Sequence, residues 1–519
     1  MSSQTAPASI PAAQTAPPFA LLSTIFLLTL LEFLQSGMIA FAAGPIMGEI
    51  GASPEEFSLT TVAYAAVAIS TISKQRWLVE RLGWRNFVLA SLGLFILGSA
   101  ICATSDSYPA FMTGRVIMGL GGAAFMTTGR VLVNLISPSP QRFVGIKYFA
   151  TGLAAGIAFA PGLASLWVAH DEWNGIFVLL MLVAAAAAVF ATLSLPTELV
   201  PDDLRSQSHP VLFMSLASGS FLVLYAIQRS QYDFFTDATM LLSIIGCGAL
   251  AMFYFFRAIH RHERPLLGLQ SLKHPRYIVG VALFMLCYVL LGANNYILPV
   301  MFQRGLGVSW EVVGKVQTLG LSSTLLAWLV MVWALPKWPG PKKFLVAGFV
   351  SLAIFGIQLS RLTGDVHIWT DTLPALAFNG IFLMFVMATT AMHTFRDVQH
   401  HDTVLSHAQQ LKNMLAQFGT AFGVASSTLM LQWRSTEHYT ALASRFENGN
   451  PIYTQTLHAV SQALASNGAG ANADALALAQ LAQMVTQQAT LMACLDYFAL
   501  VAAVGVLGAI AMAAQRLMK

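Results

Sequence analysis

The sequence predicts an all-α polytopic membrane protein with 14 transmembrane helices, and three observations carry that expectation. Fourteen stretches of 18 or more mostly apolar residues run from about Ala20 to Ala513, and roughly 20 apolar residues cross a ~30 Å hydrocarbon core as a helix. Composition agrees: 56% of the 519 residues are hydrophobic, 10% are charged and the mean hydropathy is +0.67. The intervening segments are too short or too polar to form a sizeable soluble domain, so the chain acts within or across the bilayer.

Residues 1 to 18, rich in Ala, Pro, Ser, Thr and Gln and without charge, read as a disordered tail. Neither a basic n-region nor a cleavage site marks a secretory signal, so span 1, from 20 to 43, is expected to be retained. Spans 2 (57 to 75) and 3 (86 to 104) flank a strongly basic connection. Spans 4 (110 to 134) and 5 (144 to 168) are rich in Gly and Ala, and span 6 (174 to 195) is almost wholly apolar. Spans 7 (211 to 228) and 8 (238 to 258) precede a second basic connection, and spans 9 (277 to 301) to 12 (312 to 335, 343 to 361, 373 to 395) follow it. Span 13 (408 to 432) and span 14 (488 to 513) are separated by 433 to 487, an unusually long connection. In it, Asn448-Gly449-Asn450-Pro451 and Asn467-Gly468-Ala469-Gly470 mark turns, while Ala473 to Gln487 is expected to be helical. It reads as a helical cap on the last two spans or as a docking surface for a periplasmic partner.

A cytoplasmic N-terminus puts 18 of the 27 Lys and Arg in or beside inside connections, six outside, and Arg115, Arg130 and Lys412 within spans. The positive-inside rule therefore places both termini in the cytoplasm. The net charge of +4 needs no nucleic acid to explain it, because these cations sit where anionic headgroups would hold them. Cys102, Cys247, Cys287 and Cys494 fall inside spans without metal-type spacing and read as packing residues. No Walker-type loop, nucleophile elbow or zinc-protease motif occurs, so no enzymatic activity, cofactor or metal is expected.

Several segments carry a recognisable pattern, in chain order. The connection after span 2 reads Arg76-Trp77-Leu78-Val79-Glu80-Arg81-Leu82-Gly83-Trp84-Arg85, span 4 contains Arg115-Val116-Ile117-Met118-Gly119-Leu120-Gly121-Gly122, and span 5 contains Gly152, Gly156, Ala160, Pro161 and Ala164. The second half adds Glu263-Arg264-Pro265, Tyr296-Ile297-Leu298-Pro299 and Gln417-Phe418-Gly419-Thr420-Ala421-Phe422-Gly423. Together they resemble the fourteen-helix drug:proton antiporter branch of the major facilitator superfamily, and the long loop before the last span is similar to EmrB-type exporters. Against the family pattern, Arg76 stands at the first glycine of the loop motif, Glu80 at its aspartate, Met118 at the span-4 glutamine and Ala160 at the glycine before Pro161. The resemblance implies a major facilitator fold: a six-helix bundle over 19 to 196, a linker and two additional helices over 197 to 262, and a second six-helix bundle over 263 to 519. It also implies gating roles for Arg76, Glu80, Arg81, Gly83, Arg85, Gly152, Gly156 and Pro161. Small residues at i and i+4 clear a helix face on which a neighbour can approach and slide.

Glu32 and Asp496 are the acidic residues deepest within expected spans, where an ionised carboxylate is costly unless paired or solvated. The implied fold puts span 14 outside the central cavity, so Asp496 is expected to bond a neighbouring helix and Glu32 ranks first. Glu32 lies ~18 Å along span 1 and Arg115 ~8 Å along span 4 from the opposite side, so in a ~30 Å core the two can pair. Reversible protonation of Glu32 suits proton coupling with Arg115 tuning it, whereas a fixed ion pair would be structural.

Arg130 and Lys412 sit about four residues, ~6 Å, from the ends of their spans. Their stems can snorkel to the interface or draw an anionic substrate or lipid headgroup into an inward vestibule. Gln35, Phe41, Tyr64, Asn294, Asn295, Tyr296, Asn379 and Gln417 complete the candidate substrate contacts on helices that the resemblance turns to the cavity. His393, His400 and His407 recur every seven residues beside His401 and would share a face if that stretch were one helix, as a pH sensor or metal site.

The resulting expectation is a secondary transporter of a bacterial inner (cytoplasmic) membrane that exports amphipathic organic compounds or drugs against protons. A periplasmic adaptor and an outer-membrane channel are its expected partners if the EmrB resemblance extends to assembly. A dedicated exporter of an anionic metabolite such as a siderophore is one alternative. An uncoupled, transporter-like sensor or assembly protein is another.

Overall fold

The computed structural model describes residues 18–136, 141–202, 205–233, 236–261, 265, 267–338, 340–364, 366–398, 402–444, 451–466 and 472–516. Its α-helices are α1 (Phe19–Phe41), α2 (Ala43–Glu49), α3 (Pro54–Ala103), α4 (Tyr108–Gly122), α5 (Phe125–Leu132), α6 (Arg142–Val168), α7 (Gly175–Ser194), α8 (Pro210–Asp233), α9 (Ala238–Ala258), α10 (Pro275–Val300), α11 (Trp310–Leu321), α12 (Ser323–Lys337), α13 (Lys342–Ser360), α14 (Leu373–His393), α15 (Asp402–Ala443), α16 (Pro451–Leu464) and α17 (Ala473–Ala514). Among the described residues there is no strand, as expected where every backbone N–H and C=O must be satisfied inside its own segment.

Among the described residues thirteen helical runs are long and apolar enough to cross a membrane. One of them, α3, has 50 residues and would be about 75 Å long if straight, more than twice a bilayer core. It turns at Gly83, whose φ is +77°, so it crosses twice and the crossings number fourteen. Glycine is required there for a second reason: a Cβ would sit 3.1 Å from the Thr197 carbonyl oxygen and 3.2 Å from that of Glu198. Span 4 is divided into α4 and α5 and span 10 into α11 and α12, while α10 runs into a π turn over Met301–Gly305. The helix expected from Ala473 exists and continues without a break into the last crossing as α17. α15 likewise extends to Ala443, and α16 packs on α17. Of the expected turn residues there, 448–450 and 467–470 lie outside the described residues, as do 1–17 of the N-terminal tail.

The same pairing recurs in the two bundles. α1 packs on α6 as α10 packs on α15, α3 on α7 as α13 on α17, and α3 on α4 as α11 and α12 pack on α14. Close backbone approach explains the glycines of the first pairing. A Cβ on Gly156 would lie 2.6 Å from Phe33 Cβ, and one on Gly423 would lie 2.1 Å from the Val289 carbonyl oxygen. Gly152 meets Phe26 in the same way, so the small face of span 5 is the seat of α1. Pro161 lies inside α6 without ending it, as neighbouring helices permit in membrane proteins.

The two additional helices are unlike each other. α9 packs mainly on α8 and turns large apolar side chains such as Leu242, Leu250 and Phe253 outward. α8 instead packs on both α3 and α15 and so lies across the seam between the bundles. All four cysteines are free; Cys102, Cys287 and Cys494 are buried packing residues and Cys247 is exposed on α9.

Candidate functional site

A cavity of about 600 Å³ lies between the two bundles. Its floor is near the middle of α1, at Glu32, and its mouth is on the face opposite α1's start, where Gly44, Pro54, Asp171 and Arg304 are exposed. Glu32 is 8% exposed. Its Oε1 accepts a hydrogen bond from Gln417 Nε2 at 3.0 Å, which joins α1 of the first bundle to α15 of the second. Its Oε2 is buried and has no hydrogen-bond partner among the described residues. A buried acceptor left in that state costs about 1–3 kcal/mol, so the site holds a carboxyl group with unspent bonding capacity beside a chamber.

Arg115 does not pair with Glu32. Its guanidinium lies 4.5 Å from the centroid of the Tyr64 ring, Nη1 is 3.9 Å from Met118 Sδ, and Nε is buried without a partner. The Tyr64 hydroxyl in turn accepts from Gln35 Nε2. Depth along two helices allows contact; the direction of each side chain decides it.

Gln35, Phe41, Tyr64, Asn295, Tyr296 and Gln417 line the cavity with Glu32 and Arg115. Asn294 and Asn379 do not. Asn294 Nδ2 donates to Asn379 Oδ1 at 3.3 Å and Asn294 Oδ1 accepts from the Tyr497 hydroxyl at 2.8 Å, so these amides tie α10, α14 and α17 together. Successive residues on a helix point about 100° apart, which is why Asn294 and Asn295 face different neighbours. Arg130 and Lys412 line a separate, smaller pocket. Lys412 does not snorkel: it is 3% exposed, because its helix begins at Asp402 rather than near 408 and places it a further turn and a half inside. Asp496 bonds a neighbouring helix as expected, accepting from Arg434 Nε and His438 Nε2 of α15, each at 2.7 Å, but it is one-third exposed on α17 rather than deep in the span.

Several cavity residues escaped sequence reasoning. Tyr288 stacks with Phe33 at 6.5 Å and its hydroxyl donates to Met126 Sδ at 2.9 Å. Gln228 and Tyr232 come from α8, a helix the resemblance sets apart from the bundles. Trp310 meets Phe41 at 5.2 Å across the mouth. An apolar span studded with one or two aromatic or amide side chains was the signal available, and it does not say which face is turned inward.

The opposite side of the cavity is sealed by polar contacts between bundles. Gln410 Nε2 donates to the Ile72 carbonyl at 3.0 Å, Asn413 Nδ2 donates to Thr127 Oγ1, and Arg76 Nη1 lies 3.0 Å from His407 Nε2. His407 Nδ1 accepts from the Gly268 N–H. Arg76, at the first glycine position of the motif, thus adds a contact between bundles. Its Nε also donates to Glu80 Oε1 at 2.6 Å. Glu80 Oε2 accepts from the backbone N–H and hydroxyl of Ser206, both at 2.6 Å, while Arg81 Nη2 donates to the Ser206 carbonyl and the Arg85 N–H to that of Pro196. Burial pushes the Glu80 carboxyl up, but the Ser206 bonds and Arg76 outweigh it and hold it below the usual carboxylate range. His393 ends α14 and His407 lies in α15, which begins at Asp402, so these two do not share one helix; His400 and His401 lie outside the described residues. No group of three or more metal-type ligands occurs among the described residues.

A sequence profile of the Major Facilitator Superfamily matches residues 25–424. The chain belongs to that superfamily. Among curated relatives, an "Uncharacterized MFS-type transporter YhcA" of Bacillus subtilis (strain 168) is 23% identical over 452 residues, covering 86% of this chain and 82% of its own. A "Putative multidrug resistance protein MdtD" of Salmonella typhi is 24% identical over 409 residues, covering 79% and 85%. An auto-inhibited POT family peptide transporter superposes with a TM-score of 0.57 at 16% identity, covering 96% of this chain and 98% of that one. The human organic anion transporter MFSD10 gives 0.53 at 14%, covering 95% and 99%. These structures share the fold. This facilitator is a multi-pass membrane transporter of small molecules and not an enzyme.

Proposed function

We propose that this facilitator is a proton-coupled antiporter that exports amphipathic organic compounds or drugs from the cytoplasm across a bacterial inner membrane, with both termini inside. The observation that carries the reading is Glu32: a membrane-embedded carboxyl group at the floor of the central cavity, bonded through one oxygen to Gln417 of the other bundle and through the other to nothing described. A carboxyl group in that position can hold a proton or a substrate cation but gains little from both. Exchange of one for the other changes its bond to Gln417 across the bundles. With the units 19 to 196 and 263 to 519 rocking about this floor, the sealed side at Ile72 and Gln410 is the cytoplasmic gate and the structure is outward-open. Gln35, Phe41, Tyr64, Asn295 and Tyr296 would hold the substrate, and Arg115 would tune Glu32 through the cavity field. Inward movement of a proton supplies about 2.3 kcal/mol per 100 mV. Relatives named as multidrug resistance proteins support the efflux direction.

The test is substrate-induced proton release from purified protein over a panel of lipophilic cations and anionic siderophores. Wild type should release protons with an active ligand and Glu32→Gln should not. Release that persists in the variant places the proton elsewhere, and binding without release from wild type favours the uncoupled sensor. A second reading, export of an anionic metabolite, is favoured by Arg115, Arg130 and Lys412, none of which makes a salt bridge among the described residues. The projecting ends of α15 and α17, capped by α16, would be the seat of a periplasmic adaptor leading to an outer-membrane channel.

A further inference from the structure

On the sealed side of the floor a second pocket lies between α5 and α6 of the first bundle and α10, α12, α14 and α15 of the second. Its volume is about 30 Å³, room for a water or two. Arg130, Lys412 and Gln409 supply its polar lining, and its described lining contains no acidic side chain. Lys412 is 3% exposed and its Nζ sits 4.7 Å from the Phe284 ring centroid, a cation held against an aromatic face. Gln409 is 1% exposed and its Nε2 is a buried donor with no partner among the described residues. Glu32 acts on Lys412 from the central cavity but makes no salt bridge with it among the described residues, so two cations and an unused amide donor around one apolar pocket keep an unpaired positive charge, which a buried site does not tolerate cheaply.

The remaining lining is apolar and adaptable. Met126, Met384, Met387 and Met392 contribute thioethers that repack around varied shapes. Ile146, Ala391 and Met392 are partly exposed between α6 and α14, which gives the pocket a side facing the bilayer. Met126 also lines the central cavity, so a single flexible side chain is part of the wall between the two chambers.

We infer that the Arg130–Lys412–Gln409 pocket is a separate binding site for the head group of an amphipathic monoanion, a carboxylate, sulfonate or phosphate carried on an apolar body. Closed here, it widens when the sealed side opens, takes the ligand from the adjacent leaflet or the aqueous phase, and passes a transported ligand past Met126 to the cavity. The inference rests on the transporter reading only for that last step; the binding itself does not.

The test uses the full chain in nanodiscs and two probes with the same rings, the anion 8-anilinonaphthalene-1-sulfonate and the neutral N-phenyl-1-naphthylamine. Energy transfer from Trp328, which lines the pocket, reports occupancy, with Trp328→Phe giving the background from bilayer and other tryptophans. Wild type in phosphatidylcholine should bind the anion at least tenfold more tightly than the neutral probe. Arg130→Gln and Lys412→Gln should each weaken the anion five- to tenfold and leave the neutral probe unchanged, and Lys412→Arg should retain most of the affinity. Equal affinity for the two probes, or an anion affinity unchanged in the double variant, overturns the proposal. Adding phosphatidylglycerol separates the sources: a tenfold loss of probe affinity identifies a lipid head group as occupant, and no loss identifies a free amphipath. Because binding is read without protons, loss of this site and loss of Glu32 coupling are distinguishable.

Discussion

Glu32 and Arg115 line the same cavity yet serve different neighbours, Gln417 and Tyr64. The stacked arginine makes a sharp prediction, because lysine keeps the charge and loses the planar face. Arg115→Lys should weaken substrate binding about five- to tenfold, in line with losing about half of the ~2 kcal/mol of a desolvated cation–π contact that lysine keeps in part, measured by titration calorimetry with a substrate found in the proton-release panel. Unchanged affinity would make the stacking ornamental to binding. Asn294 and Asn379 belong to packing, so Asn379→Ala should destabilise the protein by about 1–3 kcal/mol through the orphaned Asn294 amide and leave substrate affinity unchanged. A thermal-unfolding assay beside the same titration separates the two effects.

At the scale of helices, the pairing of α10 with α15 depends on Gly423, where a methyl group would meet a backbone carbonyl that cannot rotate away. Gly423→Ala should cost about 1–3 kcal/mol by overpacking, visible as a lowered unfolding temperature, whereas Gly246 on α9, with open space around it, should accept alanine without loss. The proposed gate is a second element-level device. Ser206 holds Glu80, Glu80 holds Arg76, and Arg76 reaches His407. Ser206→Ala removes one of Glu80's bonds and should shift the protein toward the inward-open form. Thiol labelling of a cysteine at Ile72 should then become several-fold faster; no change would mean that Arg76 keeps its place without Ser206.

For the whole molecule, alternating access requires the Ile72 and Gln410 contact to separate in every cycle. Ile72→Cys with Gln410→Cys, in a background lacking Cys102, Cys247, Cys287 and Cys494, should form an oxidised cross-link that stops transport and restores it on reduction. Transport by the cross-linked protein would show that this seam does not open. The additional helices also find their place at this scale, since α8 covers the seam between α3 and α15 and adds Gln228 and Tyr232 to the cavity.

Length and apolarity determined the fourteen crossings from the sequence alone, because a bilayer of fixed thickness turns an apolar run into a helix of known length. Local composition likewise foretold the helix from Ala473 and the small face of span 5. What only the tertiary structure decided is which side of each helix meets which neighbour. That is why Asn295 lines the cavity and Asn294 does not, why Arg115 stacks instead of pairing, and why Lys412, four residues from its expected helix end, is enclosed in a pocket of its own. In a membrane nearly every face of a span is apolar, so the alternation of polar and apolar residues that orients a helix in a water-soluble protein is absent. Orientation is then set by side-chain shape across contacts distant in sequence, such as the 385 residues that separate Glu32 from Gln417.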